Sequence, residues 1–360
     1  MGKIAIRKSW FYIKKGKLTY LYNSANSKIF KLQGNGKFIL YLLSRLEKGI
    51  NDTVLIGLLN KKFPDISKKY INTSIKNLSG INALERKGER EETELPSKYL
   101  LGLDRQIEFF NEIFPNEDPY KIQRRFKKFR IALLGLGSIS QYIVLALLSS
   151  GIGEFKIVDF DKVESRNIGR QPLFKEEDIG KYKTIIVSNF IKRARSNTKV
   201  IPINQMLTNE KQVEKVIKDS DLVIQSCDFP RFEIHRIINR ACLKLHKPNL
   251  VAASRHTGPF SIPYKTSCYG CFELFMKKAF PLYNEIAKHI QNKGFVIFPE
   301  LGVTPSIAGA IASKEIIAYI LGYSVETYNG VIMINPLTLK ITRFPVPKDK
   351  NCIACSMSHQ

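Results

Sequence analysis

Two sets of residues in this chain have the types and spacing to do chemistry. The first is a pair of C-x-x-C motifs, Cys268/Cys271 and Cys352/Cys355. Four thiolates at that spacing suit a tetrahedral metal such as zinc, and they leave no open position for catalysis. The two motifs lie far apart in the chain, so the expected site is a structural clasp that pins the C-terminal tail to the core. The second set falls between residues 135 and 228. Gly135 and Gly137 follow an apolar strand-like stretch, where the backbone can turn tightly and a ligand can approach. Residues 138–150, opened by Ser138, read as a buried helix whose free N–H groups favour a phosphate. Asp159 ends the next apolar stretch, roughly 20 residues past the glycines, where an acid takes ribose hydroxyls. Asp161 either joins it or caps a turn. Asn167, Arg170 and Gln171 form a polar cluster directly after the acid. Lys183 stands at a helix start in D-I-G-K-Y-K-T.

Arg170 and Lys183 admit a plain reading as surface cations. Their spacing from Asp159 favours a shared site over nucleotide phosphates, because two converging cations repel unless an anion lies between them. Asp228 follows V-I-Q-S-C at a strand end, where open α/β sheets bind ligands. A carboxylate beside a triphosphate calls for Mg²⁺. Its other role is to cap the next helix, with Pro230 in the first turn. Both roles are compatible.

The elements that must position these groups alternate strand and helix from about residue 129 onward. Strands are expected at 131–134, 155–158, 199–203, 222–225 and 249–252, with helices between them. That order specifies a Rossmann-like, mainly parallel α/β sheet covered on both faces. Residues 259–264 and 331–341 read as added strands, and 305–321 as a long buried helix. Cys227, expected in a buried strand, and Cys242, in a helix with apolar neighbours, read as small buried hydrophobes, not nucleophiles.

The chain has 360 residues, 44% hydrophobic and 25% charged, which is globular composition. Lys+Arg is 57 against Asp+Glu 32, a formal net charge of +25. Nucleic acid, an acidic peptide or a polyphosphate would each suit that charge. The lysines are spread along the chain, however, and solvated lysines explain most of it. Residues 1–17 carry no apolar signal core, and the uncharged stretch 131–153 is broken early by glycines and serines. A cytoplasmic protein with no membrane contact is expected.

Three domains follow: residues 1–90, a linker and arginine-bearing segment over 91–128, and 129–360. In the first, residues 10–13 and 18–22 alternate as a hairpin around Lys15-Gly16-Lys17, and residues 36–47, 52–59 and 66–78 read as helices. Hairpin plus three helices is a winged-helix-like α+β pattern. It resembles peptide-recognition domains of the PqqD type, in which a leader peptide adds a strand to the hairpin edge. A packing domain without ligand comes next in order, and DNA binding, with nucleic acid in contact with the third helix, last. Residues 85–98 are a highly charged linker.

V-D-F-D-x-V-E-x-x-N-x-x-R-Q, then G-K-x-K and Asp228, resemble the adenylating core of the ThiF/MoeB family, relatives of the ubiquitin-activating enzymes. L-D-R-Q-I at 103–107, the approach to each cysteine pair and L-G-V-T-P-S-I-A-G-A-I-A-S at 301–313 extend the resemblance over about 99–355. Within the family the likeness is nearest to the branch that adenylates the microcin C peptide. Ser138 and Ser140 replace glycines of the usual loop, and Phe229 stands where many relatives have Asn. The resemblance implies that Asp159 holds ribose, that Asn167, Arg170 and Lys183 bind ATP phosphates beside Gln171, and that Asp228 binds Mg²⁺. It implies that Arg105 reaches into a partner subunit's site, making the active unit a homodimer.

The implied function is ATP-dependent adenylation of a carboxylate or C-terminal residue of a ribosomally made peptide, in bacteriocin-type maturation. Arg105, Arg170, Lys183 and Asp228 would carry the chemistry. One alternative is adenylation of a ubiquitin-like sulfur-carrier protein. A second is a dinucleotide-sensing winged-helix DNA-binding regulator, in which Arg105, Arg170 and the zinc clasp have no job.

Overall fold

The computed structural model describes residues 3–87, 95–254, 256–293, 300–335, 337–338 and 340–356. The chain divides into two compact units, Met1–Gln123 and Arg124–Gln360. The linker expected at 85–98 is corrected at both ends, since 85–87 lie in a strand and 97–98 in a helix, and residues 88–94 lie outside the described part.

The first unit opens with β1 (Lys3–Ile6), then β2 (Trp10–Lys15), β3 (Leu18–Asn23) and β4 (Ile29–Leu32). The last three form an antiparallel meander in the order β2-β3-β4. Gly16, with φ of +61°, makes the turn between β2 and β3. Next come α1 (Gly36–Glu47), β5 (Ile50–Asn51), α2 (Asp52–Lys62), α3 (Lys68–Gly80) and β6 (Leu84–Lys87). Asn35, Asn51 and Ser67 start the three helices, each accepting a backbone N–H with its side chain. Strands β5, β1 and β6 form a second antiparallel sheet. Phe38, Leu42, Leu43 and Leu46 of α1 pack with Leu55, Ile71 and Ile4 in one core. The hairpin and three helices lie where the sequence placed them. Strands β1, β4, β5 and β6 are additions, too short to show periodicity. Helices α4 (Ser97–Leu100), α5 (Asp104–Ile113) and α6 (Pro119–Lys128) follow.

The second unit is built on β7 (Arg130–Leu134), α7 (Ser138–Ser149), β8 (Glu154–Asp159), α8 (Ser165–Ile168), α9 (Lys183–Ala194) and β9 (Lys199–Asn204). It continues with α10 (Glu210–Ile217), β10 (Leu222–Gln225), α11 (Glu233–Lys244), β11 (Asn249–Ala253) and β12 (His256–Ser261). Last come α12 (Tyr269–Ala279), α13 (Tyr283–Lys293), α14 (Val303–Leu321), β13 (Gly330–Ile334) and β14 (Ile341–Pro345). The eight strands lie in the order β14-β13-β12-β11-β10-β7-β8-β9. The five from β11 to β9 are parallel, and β12, β13 and β14 add antiparallel to one edge. The strand order reverses between β7 and β10, the switch point where such sheets bind ligands.

Two expected strands are corrected. Residues 331–341 are not one strand but the hairpin β13–β14, because the Asn335 carboxamide accepts from the backbone of Leu337 and Thr338 and turns the chain. The strand expected at 259–264 is β12, which ends at Ser261. The long apolar helix α14 lies on α7, and Gly309 allows it: a Cβ there would stand 2.6 Å from Tyr142 Cβ. Among the described residues no helix is long and apolar enough to cross a membrane.

Candidate active site

A cleft of about 750 Å³ opens at the carboxyl ends of β7, β8 and β10. The loop after β7 forms its floor. Gly135 has φ of +94°, and a Cβ there would lie 2.5 Å from the Cys227 backbone nitrogen. Only glycine fits both the backbone conformation and the gap. Gly137 caps α7, so the helix start and Ser138 face the cleft.

Asp159 closes β8. One oxygen accepts from the Leu136 backbone at 2.6 Å and the other from Asp161 at 2.8 Å, so the acid clamps the glycine loop to the strand end. Burial pushes its pKa up, opposed by the Lys183 ammonium and these two N–H groups. A carboxylate has lone pairs left over for further donors. Asn167 is buried in α8, where its side chain accepts from the Glu164 backbone at 2.8 Å. Gln171 is buried beneath it, against Gln141.

The two cations are already matched with carboxylates. Arg170 Nη1 donates to Glu300 Oε2 at 2.6 Å, and Lys183 Nζ to Asp161 Oδ2 at 2.7 Å. Lys183 is only 8% exposed, whereas Asp161 is 45% exposed. The repulsion expected between unshielded cations is therefore absent in the ligand-free chain. Asp161 partners Lys183 through its side chain. Glu300 also accepts from the Ser138 hydroxyl at 3.1 Å. Sequence reasoning missed Glu300, which lies 130 residues from Arg170 and belongs to no motif.

Asp228 is 83% exposed and 4.0 Å from the Arg231 guanidinium. It is not a helix cap, since α11 starts only at Glu233. It follows β10 by three residues, because the chain turns against Gly135 after Gln225. Cys227 likewise sits in this turn and not in the strand, half-buried in the cleft wall. Burial, reinforced by the Asp228 carboxylate, pushes its thiol well up, so it stays protonated at neutral pH. Phe160 and Phe229 add an apolar rim, their rings 6.2 Å apart. His235 also lines the cleft. Its Nδ1–H donates to the Gln225 carboxamide at 3.3 Å, and burial holds its pKa down to about 4.

Gly135, Gly137, Ser138, Asp159, Asp161 and Asn167 thus share one cavity with Arg170, Gln171, Lys183 and Asp228. Arg105 belongs to the first unit, where it stands on the first turn of α5 with its side chain 98% exposed.

The four cysteines gather at the base of α12. Sγ separations of 3.4, 3.7 and 4.0 Å link Cys271–Cys355, Cys268–Cys352 and Cys268–Cys271. A tetrahedral zinc with Zn–S bonds near 2.3 Å sets its sulfurs about 3.8 Å apart, so the cluster fits such an ion. Donors also surround the sulfurs, from Asn239 Nδ2 to Cys268 at 3.5 Å and from the Asp349 backbone to Cys271 at 3.4 Å. Gly270 must lack a side chain, since a Cβ would stand 2.8 Å from Cys352 Sγ. Tyr269, next to Cys268, stacks on His235 with ring centroids 5.0 Å apart.

A glycine loop, a strand-end acid and paired cations at the switch point of a parallel sheet define a nucleotide-binding α/β protein. Residues 103–354 match the ThiF family, and the chain belongs to it. It is 28% identical over 236 residues to a probable molybdopterin-synthase adenylyltransferase of Gracilaria tenuistipitata var. liui, covering 64% of this chain and 62% of that protein. It is 22% identical over 238 residues to a sulfur carrier protein adenylyltransferase of Thermus thermophilus, covering 65% and 84%. The chain therefore spans less than two thirds of the algal relative. Among solved structures it resembles E. coli MccB with ATP at a TM-score of 0.72 and 21% identity, over 98% of this chain and 99% of that one. The same fold is matched in the microcin C7 biosynthetic enzyme MccB in complex with N-formylated MccA, at 0.72 and 20%, again over 98% and 99%.

Proposed function

We propose that this chain is an ATP-dependent adenylyltransferase that activates a carboxylate of a ribosomally made peptide in bacteriocin-type maturation. The observation that carries the reading is the single cleft shared by Asp159, Asn167, Arg170, Lys183 and Asp228. A carboxylate oxygen of the peptide attacks the α-phosphorus of ATP. The bond from that phosphorus to its bridging oxygen breaks, and pyrophosphate leaves with an acyl-adenylate formed. Both reactants are anions, so the barrier is largely electrostatic. Arg170 and Lys183 exchange their own carboxylates for phosphate oxygens and neutralise charge. Asp159 takes the ribose hydroxyls. Asp228 would hold Mg²⁺, which supplies further charge neutralisation. No general base is needed, because the attacking carboxylate is ionised at about pH 7. Arg105, exposed on α5, would serve the site of a partner subunit in a homodimer.

Cys268, Cys271, Cys352 and Cys355 would hold a structural zinc, which requires a reducing compartment such as the cytoplasm. The protonated Cys227 supports a reaction that does not pass through a thioester. Residues 1–90 would form the peptide-recognition domain, 91–128 the arginine-bearing connection and 129–360 the adenylating domain. Activation of a sulfur-carrier protein is the second reading, favoured by the names of the curated relatives. Those relatives align with 64% and 65% of this chain, whereas the likeness to MccB takes in 98% of it. That coverage favours the peptide. ATP–pyrophosphate exchange with peptides encoded beside the gene tests the reading. Exchange that depends on such a peptide is expected, and exchange driven only by a sulfur-carrier protein would overturn it.

A further inference from the structure

The meander β2-β3-β4 has one face in the core of the first unit and one in solvent. Its pairing puts Phe11, Tyr22 and Ile29 in one outer row and Ile13, Tyr20 and Lys31 in the next, with Lys15 opposite Leu18. This outer face is strongly apolar. Phe11 is 46% exposed, Ile13 49%, Leu18 38% and Ile29 65%. Outward side chains of a solvated sheet are ordinarily polar, and a contiguous apolar patch marks an interaction site.

The charge around the patch has one sign. From Lys3 to Arg45 the chain carries ten lysines and arginines and no aspartate or glutamate. Lys15 and Lys31 lie on the face, and Lys14, Lys17 and Lys28 flank it. None of these five makes an ion pair among the described residues. Their charges are therefore open to an acidic partner.

We infer that the outer face of this meander docks an acidic peptide segment with apolar side chains. The inference rests on reading the first unit as the peptide-recognition module and adds the chemistry of what it recognises. Apolar side chains of the partner cover Phe11, Tyr22 and Ile29, and its carboxylates meet Lys15 and Lys31. A second copy of the chain is a poorer occupant, because the same cationic face would oppose itself. A nucleic acid is also poorer. Phe11 and Tyr22 are tilted at 51° rather than offering parallel platforms, and Ile13, Leu18 and Ile29 cannot stack on a base.

The test is fluorescence anisotropy on the full chain without ATP. The probe is a short fluorescein-labelled peptide alternating glutamate with leucine. Binding is expected to weaken with added salt, and to fall at least about tenfold in Phe11→Ser/Ile29→Ser and in Lys15→Glu/Lys31→Glu. These positions are exposed, so both variants should keep the wild-type melting temperature. Unchanged affinity in either double variant overturns the inference. Tighter binding of a labelled oligo(dT), lost in the same variants, replaces the peptide with a nucleic acid. A change of sedimentation in Phe11→Ser/Ile29→Ser with no loss of probe binding assigns the face to a second copy. Pyrophosphate exchange is scored separately. Exchange without probe binding sinks this inference alone, and probe binding without exchange under any peptide sinks the adenylation reading alone.

Discussion

Arg170 and Glu300 meet at 2.6 Å across the mouth of the cleft, with Glu300 only 10% exposed. On the proposed reading the Glu300 carboxylate takes the place at Arg170 that a phosphate oxygen of ATP would take, so ATP would compete with Glu300. Glu300→Gln is expected to lower the KM for ATP by about threefold to tenfold, the effect of removing one partly buried competing charge. Isothermal titration with a non-hydrolysable ATP analogue checks the sign. Weaker binding would show that Glu300 orients Arg170 for the nucleotide.

Removing a charge proposed to face the phosphates should have the opposite effect. Arg170→Ala and Asp228→Ala should each reduce kcat/KM for exchange by about 10³ or more, as losses of a transition-state electrostatic partner do. Asp228 is solvent-exposed, so its variant should melt like the wild type. Full activity in either would count against the assigned roles.

Cys227 lines the same cleft but carries a thiol whose pKa burial has raised. Cys227→Ala should retain exchange within about twofold, since a protonated thiol is a poor nucleophile. Mass spectrometry of the quenched reaction should find no covalent adduct on the chain. A thioester there would move the reaction to the activator type that passes its acyl group to sulfur.

The four-cysteine cluster predicts about one zinc per chain by metal analysis. Chelation should lower the melting temperature and make the four thiols reactive to a chromogenic disulfide. Gly270→Ala should do the same without a chelator, because its Cβ would intrude on Cys352. A chain that keeps its melting temperature after its metal is removed would refute a clasp role.

His235 and His256 set an acid limit on stability. Burial holds both near pKa 4, and for His256 the neighbouring His235 adds to the effect. Above about pH 6.5 both imidazoles are neutral in folded and unfolded chains alike. Below it the unfolded chain takes up protons that the folded chain refuses until about pH 4, so stability falls across that window and then levels off. His256→Phe, beside Phe272, should flatten the slope measured by melting at stepped pH.

Much of this arrangement was legible from residue order. Residues 36–47 repeat apolar side chains at helical spacing, and α1 occupies that span. Gly135, Asp159, Arg170 and Lys183 follow one another at intervals fixed by strands and helices of ordinary length, so their convergence could be expected. Their carboxylate partners could not all be. Nothing in the order of residues pairs Asp161 with Lys183, and Glu300 approaches Arg170 only through the tertiary fold. Strand β5 is two residues long and leaves no pattern. An apolar run does not reveal where pairing stops, so Cys227 reads as a strand residue although β10 ends at Gln225.

The floor of the cleft leaves no room for one carbon atom between Gly135 and the Cys227 backbone. The turn after β7 and the turn carrying Asp228 are thus geared together. Whatever stiffens one stiffens the other, so two ligands arriving on these turns share a single ordering cost and each should find the chain readier for its companion.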